Sequence, residues 1–401
     1  MSTADRRGFC ARLAAAGLAF GAGSARAQAP SAGSPGAETD SERRLRALMS
    51  GRAADGDPAS PERERERLAW LAKGEAALER LDVAAALAAF ERAAGMLHAA
   101  DAEMGLVRTW MQGGEYRRAL AFVAHTAVAH RDAAGGSALY AWLLRVGGQG
   151  DASRRMLVDA REKFGPDPIL EAASAQLASA SPRAAGALLV PPMRAAPYGG
   201  AVPRGTRVVA SGVLLDEGRA AIAPARALGR ANRVWVRDGL GETREARVTR
   251  RLPELGLVLL APSTSKSPAP VMQRAPRDAF PGSIAYVVEQ AARDDAVPAW
   301  PVLHAGFLGR GDAPSALSPL GVVLPAGPRG GAVFDAAGRL TGVTMVDDGG
   351  ADRLVPVSRL VDALGPRPLP APMDGPASAR APLDAIYEAA LRATVQVIAA
   401  T

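Results

Sequence analysis

Gly327-Pro-Arg-Gly-Gly-Ala-Val-Phe-Asp-Ala-Ala-Gly-Arg-Leu-Thr-Gly-Val-Thr-Met345 decides how this chain is read. The stretch predicts a tight Gly-rich loop, a strand over Ala332 to Phe334, a turn over Asp335 to Gly338 and a return strand from Leu340 to Met345. Asp-x-x-Gly between two apolar runs is hairpin chemistry: the Asp side chain caps its own turn, and Gly takes a backbone angle that other residues resist. A β-domain made of such hairpins is therefore expected around it.

Working outward, short Val/Leu runs separated by Gly, Asp and Pro continue on both sides. They include Ala210-Ser-Gly-Val-Leu-Leu-Asp-Glu-Gly218, Ala221-Ile-Ala-Pro-Ala-Arg-Ala-Leu228, Val234-Trp-Val-Arg-Asp-Gly239 and Ala246-Arg-Val-Thr-Arg250. Pro253-Glu-Leu-Gly-Leu-Val-Leu-Leu260, Pro281 to Val288, Val302 to Gly309 and Leu354 to Leu364 follow in order. This succession resembles the trypsin-like serine proteases in their bacterial HtrA-like form, whose nucleophile loop reads Gly-Asn-Ser-Gly-Gly-Pro and leads into a hairpin. The resemblance implies a trypsin-like double β-barrel over residues 205–365, without the PDZ-like domain common in that family.

It also fixes where the catalytic groups belong. The nucleophile position falls on Arg329, the base position on Arg226 (or on Ala225, since the match slides by one) and the orienting acid on Gly256. A triad needs a hydroxyl, an imidazole to take its proton and a carboxylate to hold the imidazole. An arginine cannot be deprotonated in a protein and attacks nothing. All three chemistries are missing at once, so the domain reads as a pseudo-protease. The alternative is an active serine endopeptidase with a displaced site. It has to use His304, the one histidine of this half, or Ser318, which lacks the sharp Gly-rich turn of a nucleophile. What the loop can retain is binding: the Arg329-Gly330-Gly331 amides would cradle a carbonyl or carboxylate, with Arg226 facing Arg329 across a cleft and an anion between them. The alternative is that both arginines simply point into water.

The N-terminal half has a different period. From Arg63 to about Ser181 apolar residues recur at three- and four-residue spacings. Trp70, Gly74, Ala86, Phe90 and Ala93 begin a pattern in which the small residues Ala86, Ala119 and Ser153 are separated by 33 and 34 residues. This resembles the tetratricopeptide (TPR) repeat and implies an α-helical hairpin array over residues 61–181 that offers a protein- or peptide-binding surface. Its Trp, Tyr and Met residues are expected in the core.

Composition bounds the rest. With 48% hydrophobic and 22% charged residues, wholesale disorder is excluded. The net charge of +7 rests on arginine, only Lys73, Lys163 and Lys266 being lysines, and no basic run is interleaved with aromatics, so nucleic acid is not an expected partner. Arg6-Arg7-Gly8-Phe9, a mild apolar run from Leu13 to Gly23 and Ala25-Arg26-Ala27 read as a signal peptide over residues 1–27. The paired arginines resemble a twin-arginine export signal, implying a periplasmic or secreted protein with no integral membrane segment after signal removal.

Residues 28–60 read as a disordered leader. Pro-rich linkers are expected at 182–204 and 366–382, and residues 383–401 as a helix and a strand that supply the barrel's missing first strand, in cis or by exchange, or simply dock at the end. Cys10, the single cysteine, lies in the signal segment. His98, His125, His130 and His304 are scattered along the chain, so neither a metal nor a cofactor is expected.

Overall fold

The computed structural model describes residues 60–130, 134–178, 201–231, 233–265, 272–290, 296–309, 317–375 and 379–400. The signal-like segment, almost all of the leader and most of the 182–204 linker lie outside these. Among the described residues no helix is long and apolar enough to cross a membrane.

The first half is a run of helices: α1 (Pro61–Glu79), α2 (Val83–Met96), α3 (Ala100–Gln112), α4 (Tyr116–Ala129), α5 (Ala134–Val146), α6 (Gly150–Phe164) and α7 (Pro168–Leu177). Each packs on the next as antiparallel hairpins. Their starts are set locally: Asp82 accepts a hydrogen bond from the Ala85 N–H at 3.0 Å, and Asp167, followed by Pro168, accepts from Ile169 at 2.8 Å and Leu170 at 3.2 Å. Ala86, Ala119 and Ser153 are all buried. Phe90 fills the space that two glycines leave: a Cβ at Gly105 would stand 2.3 Å from its ring, and one at Gly74 2.6 Å. Trp110, Trp142 and Tyr116 are buried as expected of core residues, whereas Trp70, Tyr140 and Met156 are only half-buried.

The second half is two closed antiparallel barrels of six strands each. The first is ordered β1-β12-β3-β4-β5-β2, with β1 (Thr206–Leu215), β2 (Ala220–Pro224), β3 (Val234–Asp238), β4 (Thr243–Leu252), β5 (Leu257–Pro262) and β12 (Thr394–Ala400). The second is ordered β10-β11-β8-β7-β6-β9, with β6 (Ile284–Glu289), β7 (Val302–Leu308), β8 (Ser318–Gly321), β9 (Ala332–Phe334), β10 (Leu340–Val346) and β11 (Asp352–Pro356). Closure leaves no free sheet edge, and alternate side chains of each strand fill the interior. Leu214, Val236, Val258, Leu260, Val395 and Val397 make the first core. Ala285, Val287, Leu308, Val333 and Leu354 make the second. Each large aliphatic side chain so buried contributes about 1.5–3 kcal/mol. This is the double barrel that the hairpin pattern and the trypsin-like resemblance led one to expect.

The β9–β10 hairpin follows its sequence closely. Asp335 Oδ1 accepts from the Ala337 and Arg339 N–H groups, both at 2.9 Å, and Gly338 takes φ +77°.

The C-terminal segment is integral. Helix α9 (Val357–Leu364) follows β11, and helix α10 (Leu383–Ala393) leads straight into β12, which pairs Val395 with Gly212 of β1 and Val397 with Val236 of β3 within the same chain. The segment before it, expected as a linker, is tied to both barrels by backbone hydrogen bonds. Asp216 donates to Pro368 at 2.8 Å, Arg274 to Ala371 at 3.0 Å and Ala381 to Ala336 at 2.8 Å. Its prolines lack the N–H that a regular strand needs, but their carbonyls, and the non-proline residues between them, still pair.

Helix α10 also carries the contact between the halves. Tyr387 meets Tyr116 edge-on with ring centroids 4.5 Å apart, and its hydroxyl donates to the Pro301 carbonyl at 2.8 Å. Glu388 accepts from the Arg117 backbone at 2.8 Å, and Trp142 packs on Trp300 at 4.5 Å.

Candidate functional site

The three positions assigned to the triad converge where the barrels meet. A one-turn helix, α8 (Ala225–Leu228), follows β2 and carries Ala225 and exposed Arg226. The Ala225 N–H donates to the Gly256 carbonyl at 2.8 Å, joining the base and acid positions. Gly256 closes the turn before β5 at φ +64°, a left-handed angle suited to glycine, and faces Met345 of the second barrel. Gly330, at φ +116°, sits so close to the first barrel that a Cβ there would stand 2.1 Å from the Ser211 carbonyl and 2.7 Å from Pro224. The loop is thus locked against β1 and β2.

None of these positions offers a proton-transfer group. Glu254, two residues before Gly256, is exposed. The alternative residues stay apart as well: His304 of β7 lies opposite Val287, whereas Ser318 of β8 lies opposite Leu354. Burial, with Arg145 and Arg329 nearby, pushes the His304 imidazole down to about 4, so it is neutral at pH 7.

The loop itself is filled from within. Arg329 is 6% exposed, and its guanidinium forks onto Asp352 of β11, with Nε to Oδ1 at 2.6 Å and Nη2 to Oδ2 at 2.8 Å. Nη1 donates to the Pro325 carbonyl and lies 3.6 Å from Glu289 Oε1. The Gly330 and Gly331 N–H groups both donate to Thr344 Oγ1, at 3.0 and 2.8 Å, and that hydroxyl donates onward to Glu289 Oε2 at 3.2 Å. Burial pushes the Glu289 carboxyl up to about 7. The Arg329 guanidinium pulls the other way, but it is committed first to Asp352.

The expectation of Arg329 facing Arg226 across an anion cleft, with free Gly330 and Gly331 amides, is therefore corrected. A buried guanidinium must find carboxylates, and it finds them inside the second barrel. Arg226 alone remains in solvent. Sequence reading missed Thr344, Glu289 and Asp352. Thr344 lies within the quoted hairpin, but nothing in the pattern says that its hydroxyl turns back to the loop.

A second correction concerns the histidines. His98, His125 and His130, scattered in the sequence, converge on Glu103 in the helical half, because α3 and α4 run antiparallel and bring the start of one to the end of the other. His98, Glu103 and His130 offer ligand atoms that all lie within 4.8 Å of one another.

No family model matches the chain, and no curated protein matches it. Solved structures are similar to part of it. They include the Rv3671c protease in an inactive form (16% identity, 40% of this chain and 85% of that one) and Deg5 (16%, 38% and 80%). The serine endoprotease from Yersinia pestis is a third (14%, 38% and 54%), and the TM-score is 0.32 in each case. At that score and identity, nothing about activity follows from these likenesses.

Proposed function

We propose that this chain is an exported, non-catalytic pseudo-protease in which a TPR-like helical array and a degenerate trypsin-like double barrel bind or scaffold other proteins of the cell envelope. The observation that carries this reading is the state of the loop at Arg329. Its side chain is consumed by Asp352 and Glu289, and its two glycine amides by Thr344. Oxyanion stabilisation requires backbone donors aimed at the place where charge develops, and here those donors already hold an internal hydroxyl. With Ala225, Arg226 and Gly256 at the remaining triad positions, hydrolysis has neither nucleophile nor base. Binding through the helical hairpins is what the repeat period of about 34 residues supports.

The test is incubation of the mature protein with denatured casein and a fluorophosphonate probe, beside an Arg329→Ser variant. Neither cleavage nor labelling is expected for either protein. Labelling of the wild type, abolished by Ser318→Ala, would establish a displaced active site and overturn the reading. Partner capture from an envelope extract should be lost when the helical surface is altered and kept in Arg226→Ala.

A further inference from the structure

We propose that His98, Glu103 and His130 form a binding site for a divalent transition metal of the zinc class in the helical half, with His125 beside it.

The geometry carries it. His98 lies in the connection between α2 and α3, Glu103 in the first turn of α3, His125 on α4 and His130 at its end. Their Nε2 atoms stand 2.6 Å (His98), 3.8 Å (His125) and 3.2 Å (His130) from the Glu103 carboxylate oxygens. Tetrahedral donors at about 2.0–2.1 Å from zinc stand about 3.3 Å apart, so the cluster is near the size that a metal demands.

The donor atoms are also unspent. All three Nε2 atoms and Glu103 Oε1 are buried and make no hydrogen bond, despite lying so close together. Proximity without hydrogen-bond direction is what lone pairs aimed at a common point look like. Glu103 Oε2 accepts from the Thr126 hydroxyl at 2.7 Å, the outer support that fixes a ligating carboxylate.

Charge leads to the same place. Glu103 is 0% exposed, and among the described residues its ion-pair partners are these imidazoles. A buried carboxylate needs compensation, and a divalent cation held between it and the neutral His98 and His130 imidazoles provides it. Imidazole and carboxylate favour zinc, nickel or cobalt over magnesium or calcium, which prefer all-oxygen shells. The histidine side chains are 30%, 21% and 11% exposed, so the site lies just under the surface and an ion can reach it.

The experiment is zinc titration by calorimetry on the mature chain, prepared with a histidine-free tag and stripped with a chelator, alongside thermal melts with and without zinc. Wild type should bind a single equivalent and melt higher with zinc, whereas magnesium should do neither. His98→Ala and His130→Ala should weaken zinc by about a hundredfold or more, above the loss that outer-shell changes give. His98→Gln, which keeps the volume, guards against simple misfolding. His304→Ala, outside the cluster, should bind as wild type does. Cobalt should give the visible absorption of a tetrahedral site. No zinc-dependent melt in wild type, or equal loss in His304→Ala and His98→Ala, would overturn the proposal while leaving the pseudo-protease reading intact.

Discussion

Arg329→Ser places a hydroxyl where the trypsin-like resemblance puts a nucleophile, and the structure says it will damage the protein rather than activate it. The wild-type guanidinium makes two charge-assisted bonds to Asp352, one bond to the Pro325 carbonyl and a looser ion pair with Glu289. Asp352 is 22% exposed at its side chain and Glu289 6%, so removing the cation strands two carboxylates, one of them nearly dry. Breaking one partner out of a buried ion pair costs about 3–5 kcal/mol, whereas replacing the whole group by neutral residues of similar volume is often tolerated. We therefore expect Arg329→Ser to lose about 3–5 kcal/mol, and the triple change Arg329→Met, Glu289→Gln, Asp352→Asn to recover most of it.

The assay is urea unfolding followed by far-UV circular dichroism, with a double-mutant cycle for Arg329 and Asp352. The serine variant should also remain unlabelled by fluorophosphonate, since no base stands at Ala225, Arg226 or Gly256. A loss under about 1 kcal/mol, or a coupling to Asp352 under about 0.5 kcal/mol, would refute the claim that the guanidinium is spent inside the barrel.

Other outcomes follow from the same structure. Glu289 is raised to about 7 in the folded chain from an ordinary 4.5, so the folded state holds the extra proton between those values. The Glu289 contribution is then fully present below about 4.5 and is lost as pH rises through about 7, about 3 kcal/mol in total. His304, lowered to about 4 by burial, contributes with the opposite slope over much of that window. Wild type should lose stability relative to Glu289→Gln as pH rises from about 4.5 to about 7, read as the difference in midpoint urea concentration. Gly105→Ala pushes a methyl against the Phe90 ring and should cost about 1–3 kcal/mol, read as a lower melting temperature. Deleting residues 383–401 removes α10 and β12, opening the first barrel between β1 and β3. Loss of cooperative melting or a change of mass in solution is expected, and an unchanged melt and mass would sink the idea that this strand completes the barrel.

How much of this was legible beforehand varies by element. The hairpin over Ala332–Phe334 and Leu340–Val346 was readable because its determinants are local: alternating apolar residues, an Asp that caps and a Gly that turns. The helical half was readable for a similar reason, a period repeated along the chain. The residue types at the positions that the resemblance assigns were readable too, because chemistry belongs to residue type, and Arg329 is an arginine wherever it points.

Long-range pairings decided the rest. Thr344 meets Gly330 and Gly331 only because β10 folds back under the loop, and Asp352 meets Arg329 only because β11 lies beside β10. His98 and Glu103 meet His125 and His130 only because the α3–α4 hairpin lays the end of α4 beside the start of α3. The sequence by itself thus determined which elements form and which residue types stand at the loop and turn positions, since both follow from local preference and side-chain identity. Only the tertiary structure decided which buried charges face which partners, because desolvation makes every buried charge seek a counterpart, and the choice among counterparts is made by packing between distant segments.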